Sequence, residues 1–222
     1  MDIHEMYQML TGIRLFQGIN GMNLARLEER VQLNISSRQQ SQGTFIKQNT
    51  VCSSLDFLIE GSLIRSFKDP EGRYEVCQEV NHPFAIEPES LFGLHCLYTF
   101  SYSPMGQCMM LSIPKTDVTH TLIREDIFRI NYLNLMASQV KKLEQLNLKT
   151  PLDNFHDKFV HLIRRHTMDQ RGEITLIARL QDIATLCAET RLTTSNELNK
   201  MEEQGLIEMK RCQIIIPDLD KL

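Results

Sequence analysis

Between Gln181 and Pro217 the apolar positions change period, and each change marks an element. Ile183, Ala184, Leu186 and Cys187 recur at helical spacing, which predicts a helix over 181–187. Ala188 and Glu189 make a turn. Thr190 then brings the short hydroxyl that caps a helix start, and Leu192, Leu198, Met201 and Leu206 supply the expected buried stripe of a second helix, which Gly205 stops. Leu206–Met209 and Gln213–Ile216 alternate or run β-branched around Lys210-Arg211-Cys212, predicting a two-stranded wing with two cations at its tip. Helix, tight turn, helix and β-wing is the order of a DNA-reading module. Thr193, Thr194, Ser195, Asn196, Asn199 and Lys200 are expected on the solvent face of the second helix, where such side chains bond phosphates and base edges in a major groove. Thr190, Thr193 and Lys200 are expected at phosphate, Arg191, Ser195 and Asn196 at base edges, and Lys210 and Arg211 at the backbone.

Upstream, Glu125 and Asp126 open a long helix that Thr150-Pro151 closes. Leu133, Met136, Val140, Leu143 and Asn147 are spaced 3, 4, 3 and 4 apart, a coiled-coil seam, with Ile127, Ile130 and Ala137 beside it. One stripe is expected to face a second copy and the other its own domain; the alternative is that the whole apolar surface is intramolecular core. Lys149-Thr150-Pro151 reads as a hinge. A further helix over 154–166 carries Lys158, Arg164 and Arg165, which either graze a nucleic-acid backbone or form a solvated face.

Residues 15–114 read as β-rich. The runs "QGTFIKQNT", "LDFLIEGSLIRSFKDPEGRYEVCQEV" and "CMMLSIPKTD" are broken by Gly, Pro, Asn and Asp, with Gly61 separating two apolar runs and Asp69-Pro70-Glu71-Gly72 forming a hairpin turn. A barrel or jelly roll follows from that spacing. The fold class is therefore α+β, divided into a roll at 1–124, a dimerisation helix and hinge at 125–150, and a winged helix-turn-helix at 151–222.

Length suits two cores, since the winged module occupies only the last third of 222 residues. The start Met1-Asp2-Ile3-His4-Glu5 lacks a basic region followed by an apolar one, and no apolar run is long enough to span a bilayer, so a cytoplasmic protein without membrane partners is expected. Six scattered cysteines (52, 77, 96, 108, 187 and 212) without a Cys-x-x-Cys pair suggest neither a disulfide framework nor a zinc finger. Charge alone does not point to DNA, because residues 151–222 hold ten Lys and Arg against twelve Asp and Glu. Phosphate contacts need cations only on the docking face, where Arg191, Lys200, Lys210 and Arg211 can share it.

The stretch "DIATLCAETRLTTSNELNKMEEQGLIEMKRCQIIIPD" resembles, without a gap, the winged helix-turn-helix of the Crp/Fnr family of bacterial transcription regulators. The "FLIEGSL" hairpin, the "DPEG" turn and the "LSIPK" strand are similar to that family's cyclic-nucleotide-binding roll. The resemblance implies a homodimer on an inverted-repeat operator in double-stranded DNA, with RNA polymerase and a small-molecule effector as further partners. Many members carry Arg-Glu and a later Arg on the reading helix; here Arg191-Leu192 and Asn196 stand instead. Leu192 accepts no hydrogen bond from cytosine and Asn196 suits adenine, so a different operator is expected.

The effector region departs further. Family members that bind cyclic nucleotide use Gly-Glu and a later Arg, whereas this chain has Ile86-Glu87 and no Lys or Arg from Tyr74 to Pro114. A buried phosphate would lack its bidentate partner, so cyclic AMP is not the expected ligand. Glu87, Leu91, Tyr98, Thr99 and Tyr102 are the candidate pocket residues, with Glu87 and Glu89 alternatively capping or solvating a short helix and the aromatic segment 91–102 alternatively filling the roll. No iron–sulfur cluster is expected without an N-terminal cysteine cluster, and adjacent His95-Cys96 point to opposite faces of a strand, so no metal site is assigned. The rival classes are a cupin-like metal-dependent enzyme, for which His82, His95 and His120 are too dispersed, and an interaction module on the same fold that has lost DNA binding. A non-enzymatic regulator is the expectation.

Overall fold

The computed structural model describes residues 3–148, 153–167 and 172–222. Its elements run α1 (Ile3–Gly12), α2 (Gly21–Glu28), β1 (Asn34–Gln39), β2 (Ser54–Lys68), β3 (Tyr74–Asn81), β4 (Phe84–Ile86), β5 (Ser101–Pro114), α3 (Lys115–His120), α4 (Asp126–Leu148), α5 (Phe155–Arg164), β6 (Ile174–Ala178), α6 (Leu180–Leu186), α7 (Arg191–Glu203), β7 (Glu208–Lys210) and β8 (Gln213–Ile216). The fold is α+β. The chain packs as two units, Met1–Leu63 with Asn81–Leu143 and Ile64–Val80 with Glu144–Leu222. Residues 64–80 thus pack with the C-terminal residues.

In the first unit, β1 pairs antiparallel with β5 from Asn34↔Ser112 to Gln39↔Gln107, and β2 pairs antiparallel with β4. Leu55, Phe57, Leu58, Leu63, Leu111 and Ile113 are fully buried, and the Phe57 and Phe128 rings both pack on Phe16, with centroids 5.7 and 5.3 Å away. Gly61 does not separate two strands as its position suggested. β2 passes through it at φ +82°, and a Cβ there would lie 2.6 Å from the Gln107 carbonyl oxygen. Only glycine lets β2 approach β5 that closely.

Three other expectations are corrected. Over 14–28 the chain forms a 3-10 turn at Arg14–Phe16 and then α2 rather than strands, and Asn20 caps α2 by accepting from the Asn23 amide at 2.8 Å. The run Gly43–Cys52 forms only isolated pairs, Ile46↔Tyr102 and Val51↔Leu97, since Asn49 turns the chain at φ +64°. On α4 the inward face is Phe128 and Tyr132, with Leu135 and Gln139 half-buried, whereas Ile127, Ile130 and Ala137 are exposed. Asn131 fixes that face by donating to the Leu15 and Gln17 carbonyls. The seam residues Leu133, Val140 and Leu143 are exposed and Met136 is half-buried. The Asn147 side chain and the hinge Lys149-Thr150-Pro151 lie outside the described residues.

In the second unit, β6 lies between β3 and β8, paired antiparallel to both, and β7 and β8 form the wing. Ile174, Leu176 and Ala178 point inward at every second position of β6 and join Phe155, Phe159, Ile163, Ile183, Leu198, Met201, Ile214 and Ile216 in one core. Tyr74 and Val76, delivered by the hairpin arm, belong to that core as well.

Candidate nucleic-acid interface

α6 ends where Ala188 takes a left-handed conformation at φ +52°, and the Glu189 amide closes on the Ala184 carbonyl at 2.9 Å. The chain thus reverses into Thr190, whose hydroxyl accepts from the Thr193 amide at 3.1 Å and caps α7. The Thr190 and Thr193 hydroxyls also bond each other at 2.9 Å. One hydroxyl hydrogen of the pair is used between them, leaving one for an outside acceptor. Gly205, at φ +70°, follows the last turn of α7 and lets the chain enter the wing. There the Glu202 carboxylate accepts from the Met209 amide at 2.7 Å and ties α7 to β7.

The register of α7 differs from the sequence reading at two positions. Leu192, assigned to the buried stripe, is 72% exposed, and Thr194, assigned to the polar face, is fully buried. Thr194, Leu198 and Met201, spaced 4 and 3 apart, make the inward row. Leu192, Asn196, Asn199 and Glu203 make the outward row, with Arg191 and Lys200 beside it. Thr193 and Ser195 are half-buried at its margins. Thr194 is therefore withdrawn from the DNA-facing set; its Oγ1 has no hydrogen-bond partner among the described residues.

The cations are unequally available. Lys200 pairs with Glu197 at 2.6 Å and Lys210 with Glu208 at 3.2 Å, both at exposed sites where such pairs are readily exchanged for phosphate. Arg211 and Cys212 form the wing tip, with Cys212 at φ +57°. Lys158 is half-buried and holds Glu189 at 2.7 Å, so it braces the helix-turn-helix rather than facing outward. Beside it the Cys187 thiol is buried, and that burial pushes its pKa up to about 11.

In the first unit, the five expected pocket residues do not line one space. Glu87, at φ +37°, is 1% exposed; its carboxylate accepts from Ser90 Oγ at 3.0 Å, the Thr99 amide at 2.6 Å, the Phe100 amide at 2.9 Å and Tyr102 Oη at 3.2 Å. It neither meets solvent nor has an acceptor site left for a ligand hydroxyl. Leu91 is core, and Thr99 is exposed. Of the five, Tyr98 alone lines the cavity of about 260 Å³ bordered by Arg38, Phe45, Ser54, Asp56 and Met110. Its hydroxyl donates to Asp56 Oδ2 at 2.6 Å, and burial first, then the Asp56 charge, raise its pKa above the ordinary tyrosine value. Among the described residues no group of three His, Cys, Asp or Glu is placed to hold a metal, and no helix is long and apolar enough to cross a membrane.

Sequence reasoning found the hairpin arm but missed β6 and the pairing between the two. The alternation Ile174, Leu176, Ala178 is a strand signal, but its partner, Tyr74–Gln78, lies about a hundred residues away in the chain.

Residues 158–222 match the model of the Crp-like helix-turn-helix domain. No curated protein matches the sequence. Among solved structures, the chain is similar to the catabolite activator protein of Thermus thermophilus, with a TM-score of 0.52 at 14% identity over 94% of this chain and 96% of that one. It is also similar to the sensor domain of the transcriptional regulator DNR from Pseudomonas aeruginosa, with a TM-score of 0.51 at 16% identity over 68% of this chain and 97% of that one. The chain therefore carries a Crp-like helix-turn-helix domain at residues 158–222 and shares its fold, along most of its length, with a catabolite activator protein.

Proposed function

We propose that the protein is a cytoplasmic, homodimeric, sequence-specific DNA-binding regulator whose sensor roll has lost the cyclic-nucleotide chemistry of its family. The observation that carries this reading is the outward row of α7. Asn196 and Asn199, flanked by Arg191 and Lys200, stand exposed on a helix whose opposite row, Thr194, Leu198 and Met201, is buried. Such a helix in a major groove places amide and guanidinium groups at base edges, while Thr190, Thr193, Lys210 and Arg211 reach phosphate. Ser195, at the margin, takes a base-edge or sugar contact.

One module holds DNA weakly, because few cations face outward and each phosphate contact is salt-sensitive. The exposed row Leu133, Val140 and Leu143, with Met136, is the surface on which a second copy pairs. A two-fold dimer presents its reading helices to successive major grooves about 34 Å apart, so the operator is an inverted repeat. Lys149-Thr150-Pro151 couples the two functions. The lack of any Lys or Arg from Tyr74 to Pro114, together with the engaged carboxylate of Glu87, supports an effector other than cyclic AMP, or none.

Selection of bound sequences from a random duplex library, without and with cyclic AMP, tests the reading. Recovery of an inverted repeat without nucleotide is expected. Enrichment only with cyclic AMP overturns the sensor assignment, and no enrichment in either condition overturns the DNA-reading one.

A further inference from the structure

Leu192 is the second residue of α7 and is 72% exposed, although Ile183, Leu198 and Met201 of the same helix pair are buried. Its placement is fixed by the Thr190 cap one residue ahead of the helix, so it heads the row continued by Asn196 and Asn199. The N-terminal residues of a reading helix are those that reach base edges.

The major-groove edges of the four base pairs offer hydrogen-bond donors and acceptors, and a single apolar group, the 5-methyl of thymine. Leucine has neither donor nor acceptor. Against any other edge it would strip water from a polar base atom and return nothing, whereas against the thymine methyl both partners shed water at a gain. From this we infer that Leu192 is a specificity-determining residue that recognises a thymine methyl group in each half-site. The inference rests on the proposed reading of α7 as the base-contacting helix. Asn196, one turn further on, presents the two-pronged amide that matches adenine, and residues three or four apart on a groove-lying helix meet successive bases. The half-site therefore contains a thymine methyl and an adenine on neighbouring base pairs.

The test uses the full chain and the duplex recovered from a random library by the wild-type protein. Thymines are replaced by deoxyuridine, which lacks only the methyl, one symmetric pair at a time, and dissociation constants are read by fluorescence anisotropy for the wild type and Leu192→Ala. One symmetric pair should weaken the wild type by about fourfold per half-site, the worth of one buried methyl group. Leu192→Ala should bind thymine and uracil duplexes alike at that pair. Uracil tolerated at every pair overturns the inference while leaving specific DNA binding intact. So does a uracil penalty that persists in Leu192→Ala, since another group then reads the methyl. If the library yields no specific duplex, the reading of α7 itself fails and the inference falls with it.

Discussion

The imidazole of His166 stacks on the ring of Phe67, with centroids 4.2 Å apart and planes 16° from parallel, while its Nε2 lies 2.9 Å from Tyr74 Oη. Arg65 donates to the His166 carbonyl at 2.7 Å, completing a cluster between the hairpin arm and the residue that follows α5 by two. Burial first, then the charges of Arg165 and Arg65, hold the imidazole pKa down at about 4. An unfolded histidine titrates near 6.5. The unfolded chain therefore takes up more protons between those values, so the stability tied to neutral His166 is complete above about pH 6.5 and is lost as pH falls toward about 4. The denaturant midpoint of the wild type should drop more over that window than that of His166→Phe, which keeps the stacked ring. Equal pH slopes would sink the assignment.

Thr194 and Asn196 separate stability from recognition on one helix. Thr194→Val removes a buried hydroxyl that lacks a partner while keeping its shape, so chemical denaturation should show stability unchanged or raised by roughly 1 kcal/mol. DNA affinity should not move. Asn196→Ala should leave the melting temperature unchanged and relax preference at one symmetric pair of operator positions by roughly 1–3 kcal/mol. Uniform weakening across sequences would contradict base reading by Asn196.

Glu87 should behave as a structural residue. Glu87→Ala leaves the Thr99 and Phe100 amides without their acceptor, at a cost on the order of 3 kcal/mol in thermal or denaturant unfolding. Cyclic AMP should not raise the melting temperature of the wild type. A ligand-dependent rise would return Glu87 to a sensing role.

Leu133→Asp and Val140→Asp each place a charge in the exposed row of α4. Sedimentation velocity should find these variants monomeric and the wild type dimeric. Their affinity for a two-half-site duplex should fall toward that for a single half-site. A dimer that survives both changes would move the pairing surface elsewhere.

Local signals were the legible ones. The Thr190 cap, the Gly205 stop, the Asp69–Gly72 turn, where the Gly72 amide meets the Asp69 carbonyl at 2.8 Å, and the wing around Arg211 all depend on a few consecutive residues. The α7 register was misread by one column. A leucine looks like core and a threonine like surface, yet the inward row is set by Leu198 and Met201, and Thr194 stands one turn before Leu198. Pairing of β3 with β6 was illegible because it joins segments distant in the chain, and alternation names a strand without naming its neighbour. The fate of Glu87 was equally hidden, since four separate groups converge on its carboxylate only once the chain has folded.

The hairpin arm bears on portability. Tyr74 and Val76 fill the same core as Phe159, Ile163 and Leu176, and β3 covers the edge of β6 from Ile174 to Ala178. A fragment that starts at Asp153 would surrender both side chains and leave that strand edge bare, an invitation to pair with other chains. Grafting this DNA-reading end onto another sensor therefore needs two crossovers rather than one, with residues 64–80 travelling alongside 144–222.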